Sequence, residues 1–579
     1  MHSGAAVDIV TRSGANAFHG SGFEFLRNNF IDATNFFAAG KDTLHQNQYG
    51  GTFGGPVRIP RLFNGTDKLF FFFAYQWEKS DSASANSTAY VPTAANLQGD
   101  FSNTDPPPGA AANNCGKPQQ LFDPITGLLL PGNKYASPPT WNASALKLEP
   151  YLPAINPARD PYNCGLVYYA LPSEFFDKEL DTRVDYTINS TNSLYVAYYL
   201  DGYQAPAFYS PTDILLTANS GNIEQTQSLT IGWNHVFTSN LVDSVHLTGI
   251  RRRNLRGYNS ADINAATLGI TIFQYQPIGL QLSDSTSGKN HGFSIGGGSN
   301  SKAVINDNTP FAIADDLTWV KGKHQFIFGG GYIRNELNLN NTYNGNGTFS
   351  FSGIYSGNGP TGSGAGVGSS TNASPGDANL DFLDGSMNPT GFNQSRPQQN
   401  ALRGPITTLY AQDTFHASKR LTVVAGIRWQ PYFVPPDVFH RGMQFNDAAF
   451  LANQVSTVYP TAPAGSFYYG DKGVPAGLTK GTPLHFNPNF GVTYDVFGNG
   501  KTVVRAGSEL AYDDPNFFIT QRVQQSPPFA TNTTPNTSNQ LCFSEPWLIG
   551  GTDGISAVMA AGCEPSIIIP DEQGGSGGW

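Results

Sequence analysis

The residues of this 579-residue chain that could do covalent or metal chemistry are few and dispersed. Its ten histidines are scattered, with no HExxH pair and no other metal-ligand spacing. His235 and His246 read better as residues of strands. The glycine cluster in GGGYIRN (329–335) has no helix pattern after it, so it lacks the geometry of a phosphate-cradling loop. Glycine in a strand more often marks curvature or a close approach. A glycan-cleaving enzyme would need two carboxylates at a defined separation, which a sequence does not display. No catalytic residue, no metal ligand and no cofactor is assigned on these grounds.

The four cysteines, Cys115, Cys164, Cys542 and Cys563, lie in loop-like stretches outside any CxxC pair. Joining neighbours would give Cys115 with Cys164 and Cys542 with Cys563, and would imply an oxidising compartment. The alternative is four unpaired thiols. Charged residues make up 13% of the chain, about half of the usual ~25%. A net charge of -10 argues against a nucleic-acid partner, which needs a basic face. The chain's polarity comes instead from Asn, Ser, Thr, Gln and Gly.

Chemistry being thin, the remaining interest is in which elements carry the charges. The hydrophobic period is two nearly everywhere. In DKLFFFFAYQWEKS, Leu69, Phe71, Phe73, Tyr75 and Trp77 fall on one face of a strand, with Phe70 and Phe72 on the other. In LDTRVDYTI, Leu180, Thr182, Val184, Tyr186 and Ile188 oppose Asp181, Arg183 and Asp185. SLTIGWNHVF, LTVVAGIRWQ and NFGVTYDV alternate in the same way. No amphipathic helix of three turns is found, although a short helical turn around Ala378 to Leu383 fits. The class is all-β. Strands are expected at about 18–29, 46–57, 68–79, 179–188, 194–205, 223–237, 241–256, 311–320, 325–340, 403–416, 421–433, 483–497 and 502–513.

Their connections alternate in length. Tight turns at 189–193, 238–240, 321–324, 417–420 and 497–501 separate long, irregular stretches at 80–178, 257–310, 341–402, 434–482 and from 514 onward. In a meander this puts every tight turn at one end and every long loop at the other. That is the asymmetry of an antiparallel transmembrane β-barrel with short periplasmic turns and long extracellular loops. Strands of this length cover the ~9–11 residues needed to cross the apolar layer. Trp77, Trp233, Phe237 and Trp429, near strand ends, would sit at the lipid–water boundaries. Asp181, Arg183, Asp185, Arg428 and Arg505 would line the lumen, packing first against whatever fills it. Arg251, Arg252 and Arg253 would form a solvated loop base or touch outer-leaflet phosphates. No stretch approaches the ~20 apolar residues of a membrane helix. Met1 is followed at once by HSGAAVDIVTRSG, with no leader pattern, so the chain is either cytoplasmic or begins inside a longer protein.

SGAAVDIVTRSGANAFHGSGFEFLRNNFIDATNFF, then NQYGGTFGGPV, KLFFFFAYQWEK, VPTAANLQGDFS, DPITG and LDTRVDYTINSTNSLYVAYY, in that order, resemble the TonB-dependent outer-membrane receptors. The likeness is nearest to the Oar-like branch, whose members carry a carboxypeptidase-regulatory-like domain before the plug. It is specific over the first 200 residues and one of style beyond them. The resemblance implies a 22-stranded barrel holding a plug, in the cell outer membrane, with import driven by the inner-membrane TonB system. It implies a small ligand such as a siderophore, glycan or peptide.

By the same resemblance, residues 1–15, with VDIVTRSG (Val7 to Gly14), would be the last strand of the plug. Residues 16–579 would form a partial barrel of about 13 of the 22 strands. The regulatory-like domain, most of the plug and the TonB box would precede Met1, so the TonB system could act only through that region. DEQGGSGGW, ending in Trp579, is a poor match for a closing strand. The rival readings are a soluble or surface-exposed β-rich binding protein, such as an adhesin, and an all-β glycan-cleaving enzyme.

Overall fold

A computed structural model describes residues 11–547, apart from 34–42, 84–86, 219–220, 274–278, 280, 285–291, 297–303, 342–343, 359–375, 388–389, 513–525, 531 and 536–540. The alternating segments form one antiparallel sheet of 14 strands. They are β1 (His19–Asn28), β2 (His45–Pro56), β3 (Leu69–Ala83), β4 (Pro172–Asn189), β5 (Asn192–Ala205), β6 (Gly221–Thr238), β7 (Leu241–Gly257), β8 (Val304–Asn308), β9 (Phe311–Lys321), β10 (His324–Asn341), β11 (Gln398–His416), β12 (Leu421–Trp429), β13 (Phe486–Asp495) and β14 (Val503–Glu509). Each pairs with its neighbours in chain order. β8 and β9 together make one passage between β7 and β10. Pro310 interrupts that passage because it has no N–H to give the ladder. Its carbonyl still accepts from Ile250 N (2.9 Å), and Thr309 N donates to Glu336 O (2.9 Å). Thirteen passages result among the described residues, as the alternation predicts. Among the described residues β1 pairs only with β2, and β14 only with β13.

The connections sort by end. Tight turns join β4–β5, β6–β7, β9–β10, β11–β12 and β13–β14. Gly322, in the two-residue turn between β9 and β10, takes φ +64°, a conformation that suits glycine in such hairpins. In the β13–β14 turn, Asp495 accepts from Gly498 N and Gly500 N (2.9 Å each), and both glycines have positive φ. At the opposite end the strands outrun the sequence expectation. β3 reaches Ala83, β4 begins at Pro172 and β11 at Gln398. The wall therefore projects beyond its apolar band on the long-loop side.

The long loops differ from expectation. They are not irregular: they fold together into a cap with a core of its own. Val91, Phe101, Trp141 and Leu148 come from the β3–β4 connection, and Ile214 and Leu215 from β5–β6. Leu268, Phe293 and Ile295 follow β7, Phe349, Phe351 and Phe382 lie between β10 and β11, and Leu541, Phe543 and Trp547 follow β14. The sequence conceals this because the core residues are contributed singly from separate loops and have no common period. Backbone bonds tie the loops crosswise: Asn142 N to Leu383 O (2.8 Å), Phe543 N to Gly385 O (2.9 Å), Thr271 N to Ser544 O (2.9 Å) and Phe122 N to Ser356 O (2.8 Å). Cys115 is bonded to Cys164, closing a 49-residue separation. Cys542 is disulfide-bonded as well, and Cys563, the partner expected for it, lies outside the described residues.

At the middle of the cap is helix α1 (Ala378–Asp384), where the sequence suggests a helical turn. Asp377 caps it by accepting from Leu380 N (2.9 Å), and Gly385 ends it at φ +79°. Gly385 also lies against Asn142, which a Cβ would strike at 2.4 Å. Asp381 is fully buried and accepts from Ser356 N (2.9 Å) and Tyr355 N (3.2 Å). Asp384 accepts from Ser386 Oγ (2.8 Å). Burial raises both carboxyls, to about 7 for Asp381 and about 8 for Asp384.

A carboxyl raised on folding is protonated in the folded cap while the unfolded chain ionises near pH 4. Its cost is absent below pH 4 and grows as pH rises to the folded pKa. The cap is therefore expected to melt at a higher temperature at pH 5 than at pH 8, read by the fluorescence of Trp141 and Trp547. Asp384→Asn should flatten that profile. An equal melting temperature at both pH values would refute this reading of the cap.

The loop between β12 and β13 is a smaller unit. Asp471 accepts from Ser456 Oγ (2.6 Å), Thr457 N (2.7 Å) and Tyr468 N (2.9 Å). Despite the opposing effect of desolvation, these bonds hold its carboxyl down at about 2. The same loop covers the upper edge of β11, where Ala401 N donates to Asp437 Oδ1 (2.6 Å) and Val438 N to Ala401 O (2.8 Å). An edge left bare there would be open to pairing with other chains.

Candidate functional site on the inner face of the wall

Directly opposed residues in a ladder point to the same side, so the register assigns every side chain of the wall to a face. Arg183 pairs with Phe72 and Ala197, and Asp185 with Phe70 and Tyr195. The row continues through Thr230, Thr248, Ala312, Ile333 and Ile406. Tyr410 and Arg428 pair on that face, as do Thr493 and Arg505. All five charged candidates thus share one side. Trp77, Trp233, Phe237 and Trp429 lie on the other, with Phe73, Val184, Leu229, Leu247, Ile313 and Ile427. That apolar side is half exposed along much of its length. Trp77 packs at a tilt against Tyr49 (5.1 Å) in the long-loop half. Trp429 Nε1 donates to Pro483 O (2.8 Å) at the same end. Trp233, His235 and Phe237 run in contact (5.4 and 4.3 Å) towards the tight turns, where Trp319 meets Phe326 (5.6 Å). Polar exceptions include Asp413, bonded to His324 (2.7 Å).

The N-terminal segment runs across the face carrying Arg183, hereafter the inner face. Residues 11–15 have no regular secondary structure, and 1–10 lie outside the described residues. Arg183 Nη1 donates to Thr11 Oγ1 (3.2 Å), and Ser13 Oγ donates to Asp185 Oδ2 (2.6 Å). Gly14 lies so close to the β2–β3 backbone that a Cβ would meet Phe71 O at 2.4 Å. Phe72 is buried nearby. Asn16 exchanges hydrogen bonds with Asp67, its Oδ1 accepting from Asp67 N (2.8 Å). Arg183 and Asp185, two residues apart on one strand, form a fork (Nη2–Oδ1 2.8 Å), and the guanidinium lies over the Tyr195 ring at 4.2 Å.

Removing Asp185 takes from Ser13 its acceptor on the wall and from Arg183 its carboxylate partner. Asp185→Ala is expected to release residues 11–17, speeding their amide exchange about 5- to 30-fold for the ~1–2 kcal/mol lost. Unchanged exchange would mean the contact does not hold the segment.

Asp181 lies one row above, between Ala74 and Tyr199. The sequence reading missed the tyrosines on its face, Tyr195, Tyr199 and Tyr203, although LYVAYYLDGYQ spaces them by four, an even step that keeps them on one side of a strand. Arg505 sits apart, exposed on β14. Among the three loop arginines, Arg252 Nε reaches Glu224 Oε1 (2.6 Å) and Arg253 Nε reaches Asp307 Oδ1 (3.5 Å), so these two are paired at the loop base.

Arg428 occupies a separate place. It lines a recess of about 200 Å³ with Tyr410, Gln412, Asn487, Asn489 and Glu509. Gly426 forms its floor: a Cβ there would meet Asn489 Oδ1 at 2.4 Å. Tyr410 packs over Gly329 and donates its hydroxyl to Asp316. Sequence alone names Arg428 but not its company, because Asn487 and Asn489 become its neighbours only through the β12–β13 register.

A family model described as an outer membrane beta barrel domain matches residues 10–567. Among solved structures, the chain is similar to the outer membrane transporter YddB from Escherichia coli, at 10% identity and a TM-score of 0.42, over 86% of this chain and 42% of that one. It is similar to the copper transporter OprC, at 8% identity and a TM-score of 0.39, over 88% of this chain and 48% of that one. A third is the siderophore receptor PirA from Acinetobacter baumannii, at 10% identity and a TM-score of 0.37, over 87% and 44%. The chain spans less than half the length of these structures. No curated protein matches it.

Proposed function

The chain belongs to the outer-membrane β-barrel domain family, and from that premise we propose that it forms the wall and surface loops of a TonB-dependent receptor of the Oar-like branch. Its wall is antiparallel β-sheet in the outer membrane, with the apolar face towards lipid and the Arg183 face towards the lumen. In this reading a small ligand, a siderophore, glycan or peptide, enters past the cap and is admitted when the TonB system displaces a plug. Binding and gating do the work, with no covalent step. The carboxypeptidase-regulatory-like domain of that branch belongs to the same proposal.

The observation that carries it is the docking of residues 11–17 on the inner face through Thr11–Arg183 and Ser13–Asp185. A chain that reaches its first wall strand from inside the lumen is what a plug-to-barrel junction requires. Asp181, Arg183 and Asp185 would then hold the plug side, with residues 1–15 as its last strand. Arg428 and Arg505 would face the passage.

The test is uptake of labelled ferric siderophore, oligosaccharide and oligopeptide by cells with and without the protein, each with and without TonB. One class should enter only when both are present. Uptake that survives loss of TonB would sink the proposal.

A further inference from the structure

Three buried polar atoms in the Arg428 recess have no partner among the described residues: Arg428 Nε, Asn487 Oδ1 and Asn489 Oδ1. A buried polar atom without a partner is costly, and three facing one recess call for a common explanation. They are complementary in kind. The guanidinium needs an acceptor, and a planar oxyanion fits its fork. The two amide oxygens need donors. Asn489 Nδ2 donates to Gln412 Oε1 (3.3 Å), which leaves the Gln412 amide nitrogen as a further donor. Glu509 stands opposite Asn489 as an additional acceptor. A group that accepts at one end and both donates and accepts beside it is a carboxylate carrying neighbouring hydroxyls. The volume, about 200 Å³, is well above what a single water needs. Gly426 keeps that volume open, and Tyr410, fixed by Asp316, gives it a rigid apolar side.

We propose that this recess is a ligand subsite for a hydroxylated carboxylate of the sugar-acid class, with Arg428 taking the carboxylate and Asn487 and Asn489 taking the hydroxyls. This rests on the reading of the Arg428 face as a lumen open to ligand. It goes beyond that reading by naming the chemical class selected.

The test is titration of the full, detergent-solubilised protein with galacturonate, galactose and inorganic phosphate, with heat-dependent gel mobility checking that the wall is folded. Galacturonate is expected to bind at least about tenfold more tightly than either of the others, the margin of one charge-assisted fork. Arg428→Ala should weaken it by about 10- to 100-fold, and Arg428→Lys by less, because an ammonium cannot fork. Gly426→Val, which fills the floor, should abolish binding while Arg428→Ala keeps the floor open.

Equal binding of galactose, equal binding of phosphate, or variants that bind galacturonate like the wild type would each overturn the proposal. The two readings fail separately. TonB-dependent uptake of a ligand indifferent to Arg428→Ala overturns the subsite alone. Galacturonate binding lost in Arg428→Ala, in cells whose uptake ignores TonB, supports the subsite and overturns the transport reading.

Discussion

Phe382→Ala is expected to unfold the cap and leave the wall standing. Phe382 is fully buried in α1, with its ring edge-on to Phe293 (5.3 Å) and Phe351 (5.4 Å) and close to Phe543 (6.0 Å). Those three partners come from three stretches of chain: the loop after β7, the loop between β10 and β11, and the segment after β14. One truncation therefore loosens every joint at the cap's centre. Removing a buried phenylalanine costs about 3–5 kcal/mol, a large part of the ~5–15 kcal/mol that stabilises an ordinary domain. The wall is held by its ladders and gains nothing from this ring. Limited proteolysis should cut the 87–169 and 344–395 loops in the variant while the heat-dependent gel mobility of the wall persists. A single transition in which cap and wall are lost together would show that the cap is not a separate unit.

The wall was legible because a strand with one lipid side and one lumen side writes its structure directly into a period of two. LDTRVDYTI shows Arg183 and Asp185 on one face, and the ladder register keeps them on one face with Tyr195. Tight turns and long loops gave the topology, and thirteen passages follow the expected order. The strand ends were read short at the long-loop end. There, Gln398 to Leu402 and Pro172 to Phe176 pair across the sheet without a simple apolar–polar alternation.

The cap was not legible, and the reason is physical. Its core draws Phe101, Ile214, Leu268, Phe382 and Phe543 from five connections, so no window of sequence holds more than a fragment of it. The Gly, Asn and Ser content that makes these loops look unstructured supplies turns and caps, as Asp377 and Gly385 do for α1. The Arg428 recess was half legible. Alternation assigns Arg428 a face, but the recess depends on Gly426 and on two asparagines brought across by register. Ser13 and Thr11, the partners of Asp185 and Arg183, are about 170 residues away in sequence, and nothing local signals them.

A sharper test of the wall compares two adjacent residues of β7. Leu247 lies on the outer face between Ile231 and Ile313, and Thr248 on the inner face between Thr230 and Ala312. Both are well inside the strand, away from the turn at residues 239–240 and from the loop base at Arg251 to Arg253. Leu247→Arg places a guanidinium among apolar neighbours in lipid, at a cost of about 2–4 kcal/mol near the bilayer midplane. Thr248→Arg places the same group in the lumen, where water and the inner-face carboxylates solvate it, so its cost should stay below ~1 kcal/mol. Since ~1.4 kcal/mol is a factor of ten, the fraction of folded protein recovered in the outer membrane under mild denaturant should fall at least tenfold for Leu247→Arg and hardly change for Thr248→Arg. Position matters as well as face. Trp233→Arg, nearer the tight turns, should cost less than Leu247→Arg, because a long cation there reaches the interface. If Leu247→Arg and Thr248→Arg were equally damaging, the two faces would see the same surroundings, and the assignment of lipid to one and lumen to the other would fall. If only Thr248→Arg were damaging, the faces would have been assigned the wrong way round.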